Sequence, residues 1–350
     1  MNWPGDFQNK LILGDCQAIL PYIPMNSIDS VVTDPPYGLN FMGQGWDNGV
    51  PGAEFWTEIL RVLKPGGHLV SFGGTRTFHR LTSVIEDSGF EIRDCLMWLY
   101  GQGFPKSHNI AKADSKAVDW DGWGTALKPG WEPIILARKP IEGTVVENIL
   151  KYNTGGLNID ACRVSGEPSP SVKRRKNAAP KESIGSTGWV TPARPESYNE
   201  QRAGEQLGRW PANLILDEES GLELDKQSGN RPGCTRPSKA KPLSKFRPNQ
   251  GNYAAQGPIY PDNGGASRFF YCAKASKHDR GKNNTHPTVK PVLLMQWLCR
   301  LITPPNGIIL DPFCGSGSTL KAAELENFKW IGIDKEEEYI NIAKLRLEVE

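Results

Sequence analysis

Ile308-Ile309-Leu310-Asp311-Pro312-Phe313-Cys314-Gly315-Ser316-Gly317-Ser318-Thr319 decides how this chain is read. Three apolar residues predict a short buried strand, two closely spaced glycines a tight turn, and Ser318–Glu326 a helix. Glycine lets the backbone approach a ligand, and the helix start presents free N–H groups. Lys329–Ile333 predicts the next strand, and Asp334 ends it. Nucleotide folds place an acid there, about 20 residues after the turn, for ribose hydroxyls. A Gly-x-Gly alone is an ordinary tight turn; strand, turn, helix, strand and acid in this order is far more specific. No lysine follows the second glycine, which excludes a Walker loop. Position 320 is Leu, which excludes the full dinucleotide fingerprint. The expected ligand is nucleoside-like and lacks a pyrophosphate.

Outward from this turn, Val289–Ile302 predicts a helix with Pro291 in its first turn, and Glu336–Leu347 a closing amphipathic helix. Nearer the N-terminus, strands are predicted at Lys10–Leu13, Ser27–Thr33, His68–Phe72, Glu91–Tyr100 and Glu132–Ala137. Helices are predicted at Ala53–Leu63, stopped by Lys64-Pro65-Gly66-Gly67, and at Thr77–Ser88, stopped by Gly89. Such alternation implies a parallel α/β sheet. From about 140 to 285 the periodicity fades. Pro, Gly, Ser and Lys dominate there, broken by apolar islands at Asn213–Leu216 and Arg268–Cys272. The expectation is an insertion between two pieces of α/β structure.

Composition bounds the alternatives. The 350 residues leave room for two or three domains and a sizeable core. No apolar run approaches the length of a membrane span, and the start MNWPGDFQNK lacks the apolar core of a secretory signal. The cysteines at 16, 95, 162, 234, 272, 299 and 314 are odd in number and never form a CxxC pair. They argue for a reducing compartment and against a disulfide framework or a zinc knuckle. The five histidines show no ligand spacing, so no metal is expected. The net charge of +2 hides an asymmetry: residues 151–285 hold 22 Lys and Arg against 13 Asp and Glu. Lys173-Arg174-Arg175-Lys176 lies in that stretch. A charge run by itself is most often a solvated loop; clustered cations among aromatics also suit a polyanion surface.

A second motif, Asp34-Pro35-Pro36-Tyr37, ends the strand Ser27–Thr33. Two prolines fix the backbone and remove two N–H donors, leaving rigid carbonyl acceptors beside the Asp34 carboxylate. Tyr37 adds a flat apolar face. The group suits a planar ring carrying an NH2, or is simply a proline-rich loop capped by an aromatic.

Asp34-Pro35-Pro36-Tyr37 together with Asp311–Gly317 resembles the DNA amino-methyltransferases that modify adenine N6 or cytosine N4, phage and prophage members most closely. Gly14-Asp15-Cys16, Val62-Leu63-Lys64-Pro65-Gly66-Gly67 and His286-Pro287-Thr288-Val289-Lys290-Pro291 agree with that resemblance. The order of target motif, variable region and cofactor motif is similar to the family's circularly permuted β group. The resemblance implies a Rossmann-like fold dependent on S-adenosylmethionine. Residues 1–140 would carry the target motif, 141–285 a DNA target-recognition insertion, and 286–350 the cofactor motif. It places the cofactor strand beside the target strand, at the switch point of a doubly wound sheet. Lys10–Leu13 would follow Lys329–Ile333 in the unpermuted order.

The resemblance also implies roles. Asp34 and the Pro35 carbonyl, held by Pro36, would take the N–H groups of a base flipped from double-stranded DNA, with Tyr37 stacking on it. Asp311, Phe313, Gly315 and Gly317 would line the cofactor pocket, Asp334 would take the ribose and Asp15 the adenine edge. Thr288 and Lys290 would hold the methionine carboxylate, and Lys173–Lys176 would contact DNA. Read from the residues alone, Asp15 equally suits a helix cap, His286 a loop histidine, Cys314 a small buried residue, and Trp46 of Gly45-Trp46-Asp47 either core or a loop over the flipped base. The location expected is the cytoplasm of a bacterial or phage-infected cell; a homodimer is left open. The family's cytosine enzymes usually carry Ser before Pro-Pro-Tyr, so Asp34 favours adenine. Cytosine N4, RNA or a protein glutamine amide are the competing targets, and a non-catalytic DNA-binding protein on the same scaffold is the competing class.

Overall fold

The protein is described by a computed structural model covering residues 3–5, 7–39, 49–101, 103, 107–165, 183–184, 190–191, 208–231, 263–273, 284–286 and 288–348. The strands are β1 (Lys10–Leu13), β2 (Ile28–Thr33), β3 (Leu63–Phe72), β4 (Glu91–Leu99), β5 (Trp131–Arg138), β6 (Ser183–Ile184), β7 (Val190–Thr191), β8 (Leu214–Asp217), β9 (Tyr271–Ala273), β10 (Ile308–Asp311) and β11 (Lys329–Asp334). The helices are α1 (Cys16–Ile19), α2 (Ala53–Val62), α3 (Phe78–Asp87), α4 (Ile110–Ala113), α5 (Val145–Tyr152), α6 (Glu218–Ser228), α7 (Val292–Ile302), α8 (Ser318–Leu325) and α9 (Glu337–Glu348).

Among the described residues the main sheet runs β1-β11-β10-β2-β3-β5-β4-β8-β9, and β6 pairs only with β7. The expected neighbours are neighbours. β10 pairs in parallel with β2 through Leu310↔Val31, and β1 pairs in parallel with β11, with Leu13 opposite Asp334. Chain order reverses at β10 and β2: β10 leads outward to β11, β2 to β3. The carboxyl ends of these two strands, with Asp311 and Asp34, therefore flank the crevice where open α/β sheets bind ligands.

Burial on both faces explains the apolar runs. In β2, Val31 faces the core under α2 and α3, and Val32 faces the one under α7 and α8. In β5, Ile135 and Ala137 face one side, Ile134 and Leu136 the other. Helices on both faces complete a doubly wound fold. Trp56 of α2 and Trp297 of α7 are the largest fully buried side chains, one on each face.

The structure departs from the sequence reading in two respects. The sheet is not wholly parallel, since β5 runs antiparallel to both β3 and β4. Between 141 and 285, the islands near 214 and 271 are strands of the main sheet: β8 pairs with β4 and β9 with β8, all in parallel. That interval also holds α5, opened by a capping box in which Thr144 takes the Glu147 N–H and the Glu147 side chain takes the Thr144 N–H. Among the described residues, no helix is long and apolar enough to cross a membrane.

Candidate active site

β2 ends at Thr33 and delivers Asp34 to the crevice. Pro35, buried behind it, and Pro36 stiffen the exit. Tyr37 then turns back: its hydroxyl donates to Asp34 Oδ1 at 2.7 Å, and Thr77, N-cap of α3, donates to its carbonyl at 2.7 Å. The phenol is thus a fixed donor as well as an apolar face. Burial, followed by the charges of Asp34 and Glu132, pushes it well above its usual value, so it stays protonated.

Lys290 is brought to this same corner. The family resemblance assigns it to the cofactor's carboxylate; here its ammonium donates to Asp34 Oδ2 at 2.7 Å and lies 3.2 Å from Glu132 Oε2 and from the Tyr37 hydroxyl. The side chain is 9% exposed and its Nζ lies 4.7 Å from the centre of the Phe72 ring. Burial alone lowers an ammonium, but Asp34 and Glu132 outweigh it and hold Lys290 above its usual value. Thr288 stands apart, exposed, its N–H donated to His286 Nδ1 at 3.3 Å.

The second half of the site is the turn between β10 and α8. Gly315 and Gly317 have φ of +47° and +79°, a region that favours glycine. A Cβ at Gly315 would lie 2.8 Å from His286 Nε2, and one at Gly317 3.0 Å from Ala343 of α9. Asp334 ends β11 beside the turn, as expected, and is partly occupied already: Oδ2 accepts the Gly315 N–H at 2.8 Å and Oδ1 the Glu336 N–H at 2.9 Å. Asp15 is the N-cap of α1, accepting the Gln17 N–H at 2.8 Å, the alternative left open from sequence. The hydrogen bond from the Gly14 N–H to the Asp334 carbonyl, at 2.9 Å, holds Asp15 near that corner. Phe313 packs on Phe55 at 5.1 Å between ring centres.

Asp311 is enclosed at the carboxyl end of β10. It is 2% exposed and accepts from the Thr33 hydroxyl at 2.8 Å, from the Phe313 N–H at 3.1 Å and from the Thr319 side chain. Burial pushes its carboxyl up to about 7 against these donors. It joins the end of β2 to the end of β10. Cys314 is buried and its thiol is pushed well above the usual value by burial, so it is inert.

The profile of a DNA methylase family, N6_N4_Mtase, matches residues 28–345. The chain belongs to this family. Type II methyltransferase M.HindIII of Haemophilus influenzae is 24% identical over 307 residues, which is 85% of this chain and 68% of that enzyme. Type II methyltransferase M.HpaI of Haemophilus parainfluenzae is 23% identical over 349 residues, 97% of this chain and 74% of the relative. Among solved structures, the M1.HpyAVI–SAM complex has 18% identity and a TM-score of 0.46, covering 97% of this chain and 99% of that one. PvuII DNA methyltransferase, cytosine-N4-specific, has 17% identity and a TM-score of 0.46 over 96% of this chain and 85% of its own.

S-adenosylmethionine is the methyl donor of this family of methylases, and the residues present fit it. The two left-handed glycines keep the turn free of side chains, and Asp334 and Asp15 border it. Asn284 holds the His286 N–H at 2.9 Å, while its own Nδ2 is buried with no hydrogen-bond partner among the described residues. An unsatisfied buried donor suits an anionic or polar ligand group.

Two residues of the site, Glu132 and Thr33, escape the sequence reading, which takes His286 only as part of the His286–Pro291 motif and as a loop histidine. Glu132 carries a signal, an acid at a position of β5 that shares its face with the buried Ile134 and Leu136. Thr33 carries none that separates it from an ordinary strand residue. His286 packs edge-on against Tyr339 at 4.3 Å, and burial lowers its imidazole below the usual value. The run Lys173–Lys176 and the segment Gly45-Trp46-Asp47 lie outside the described residues.

Proposed function

We propose that this methylase transfers a methyl group to the N6 amine of an adenine flipped out of double-stranded DNA. The observation that carries the reading is the Asp34 carboxylate, fixed by Tyr37 at the switch point beside the glycine turn. An exocyclic amine is a poor nucleophile because its lone pair is delocalised into the ring. Asp34 and the Pro35 carbonyl accept its two N–H groups and favour a pyramidal nitrogen with an available lone pair. The bound cofactor supplies an electrophilic sulfonium methyl. Asp34 then takes the proton that the alkylated nitrogen releases. Positioning and fixed charge provide most of the acceleration. Phe313, the turn glycines and Asp334 hold the donor; Tyr37 provides aromatic surface for the base.

Aspartate rather than serine before Pro-Pro-Tyr supports adenine over cytosine. The basic surplus of 151–285 supports DNA as the polymer and that interval as the part that reads the sequence. Plasmid methylated by the purified protein, digested to nucleosides and weighed by mass spectrometry, should yield N6-methyladenine. N4-methylcytosine as the dominant product overturns the adenine assignment.

A further inference from the structure

Lys290 holds the Asp34 oxygen that the target amine needs. Asp34 Oδ1 already accepts from Tyr37, and Oδ2 accepts the Lys290 ammonium at 2.7 Å. A cation there also works against the reaction. It draws on the charge of the carboxylate that must accept the amine proton, and it stands beside a nitrogen that becomes positive as the methyl arrives. The same ammonium has a second seat. Glu132 Oε2 lies 3.2 Å from it, near the start of β5, with the Tyr37 hydroxyl oxygen 3.3 Å away. The surroundings are apolar: Phe72 lies under the ammonium, and Trp98 is opposite Glu132 across the β4–β5 ladder. In such surroundings a shift of one charge between two carboxylates is felt strongly.

We propose that Glu132 is a positioning residue for methyl transfer: it draws the Lys290 ammonium off Asp34 when the target base enters. This rests on the DNA methyltransferase reading and is independent of which base is modified. The base amine donates to the vacated Asp34 Oδ2 while Lys290, protonated throughout, pairs with Glu132. As the N–C bond forms the methyl–sulfur bond breaks, and the amine proton passes to Asp34. Without Glu132 the ammonium has one carboxylate left and stays on Asp34.

The test is single-turnover methyl incorporation into DNA at saturating DNA and cofactor, with cofactor affinity measured by calorimetry on the same proteins. Glu132→Gln should slow incorporation roughly 10- to 100-fold, the scale on which small misplacements act, with cofactor affinity unchanged. Glu132→Asp, which keeps the charge, should retain most of the rate and also covers the case in which the Gln variant does not fold. In a Lys290→Met background, Glu132→Gln should do little further harm, because there is no ammonium left to withdraw. The proposal is overturned by equal losses for Glu132→Gln with and without Lys290, by Asp failing as badly as Gln, or by a fall in cofactor affinity on Glu132→Gln. Loss of cofactor affinity in Lys290→Met would instead return Lys290 to the cofactor's carboxylate, and equally overturns the proposal. Incorporation is counted whatever the base, so an N4-methylcytosine product refutes the adenine assignment and leaves this test standing.

Discussion

Thr33→Val probes the joint between the two halves of the site. The change keeps the side chain's shape and removes one donor from Asp311, whose oxygen lies 2.8 Å from the Thr33 hydroxyl. Both residues are fully or nearly fully buried, so water does not replace the missing bond. Burial holds the Asp311 carboxyl at about 7, against an ordinary value of 3.8. A carboxyl whose folded value is raised stabilises the fold below its unfolded value, and that stability is lost as pH rises toward the folded value. Removing a donor raises the folded value further, so the extra loss appears only above about pH 7. At pH 5.5 Asp311 is protonated and a neutral hydrogen bond of about 1 kcal/mol is lost. At pH 8.5 it is charged and the loss is about 2–3 kcal/mol. At about 2.1 cal/mol/K of unfolding entropy per residue, 1 kcal/mol is worth roughly 1.4 °C of melting temperature in a chain of 350 residues, so the expected falls are about 1–2 °C and about 3–4 °C. Calorimetric melting of wild type and variant at both pH values reads this directly. Equal falls, or a larger fall at pH 5.5, would refute the assignment of Asp311 as a buried carboxyl titrating near neutrality.

Asp34→Ala should abolish methyl incorporation and leave cofactor affinity largely intact, since the proposed function gives Asp34 to the target base and not to the cofactor; a parallel collapse of affinity in calorimetry counts against that division. Gly315→Ala forces a Cβ to within 2.8 Å of His286 Nε2 at φ +47°. It should lower stability by about 1–2 kcal/mol and weaken the cofactor about tenfold or more; unchanged cofactor affinity would remove this turn from the pocket. Replacing Lys173–Lys176 with alanines should weaken DNA binding and reduce its salt slope by up to about 3–4, near 0.9 for each phosphate no longer neutralised. An unchanged slope in filter binding across salt concentrations would make the run a solvated loop.

Where sequence reading worked, the determinant was contiguous. The strand, glycine turn, helix and following acid from 308 to 334 are set by local hydrogen bonding and by backbone angles that glycine tolerates, and they fold as read. Asp15 shows the limit: capping and cofactor contact place the same demand on an acid before a helix, so only the Gln17 N–H distinguishes the observed use. β8 and β9 read only as apolar islands because four and three residues are too few to show alternation. Their strand character comes from the edges that β4 offers β8 and β8 offers β9, not from their own sequence. The reversal of β5 is equally hidden, since an apolar run buried on both faces reads the same in either direction.

The sequence by itself determined the fold family, the permuted order of motifs, the switch-point crevice and the acid at its mouth, because each is carried by a short continuous segment. Tertiary structure alone decided what those segments touch. Lys290 meets Asp34 across 256 residues of chain, and Thr33 meets Asp311 across 278. Neither pairing leaves a trace in local spacing. Which carboxylate a buried ammonium chooses is fixed by the sheet order that places β2, β3 and β5 side by side and by the electrostatics of an apolar pocket, where an unpaired charge is costly and two acids compete for one cation.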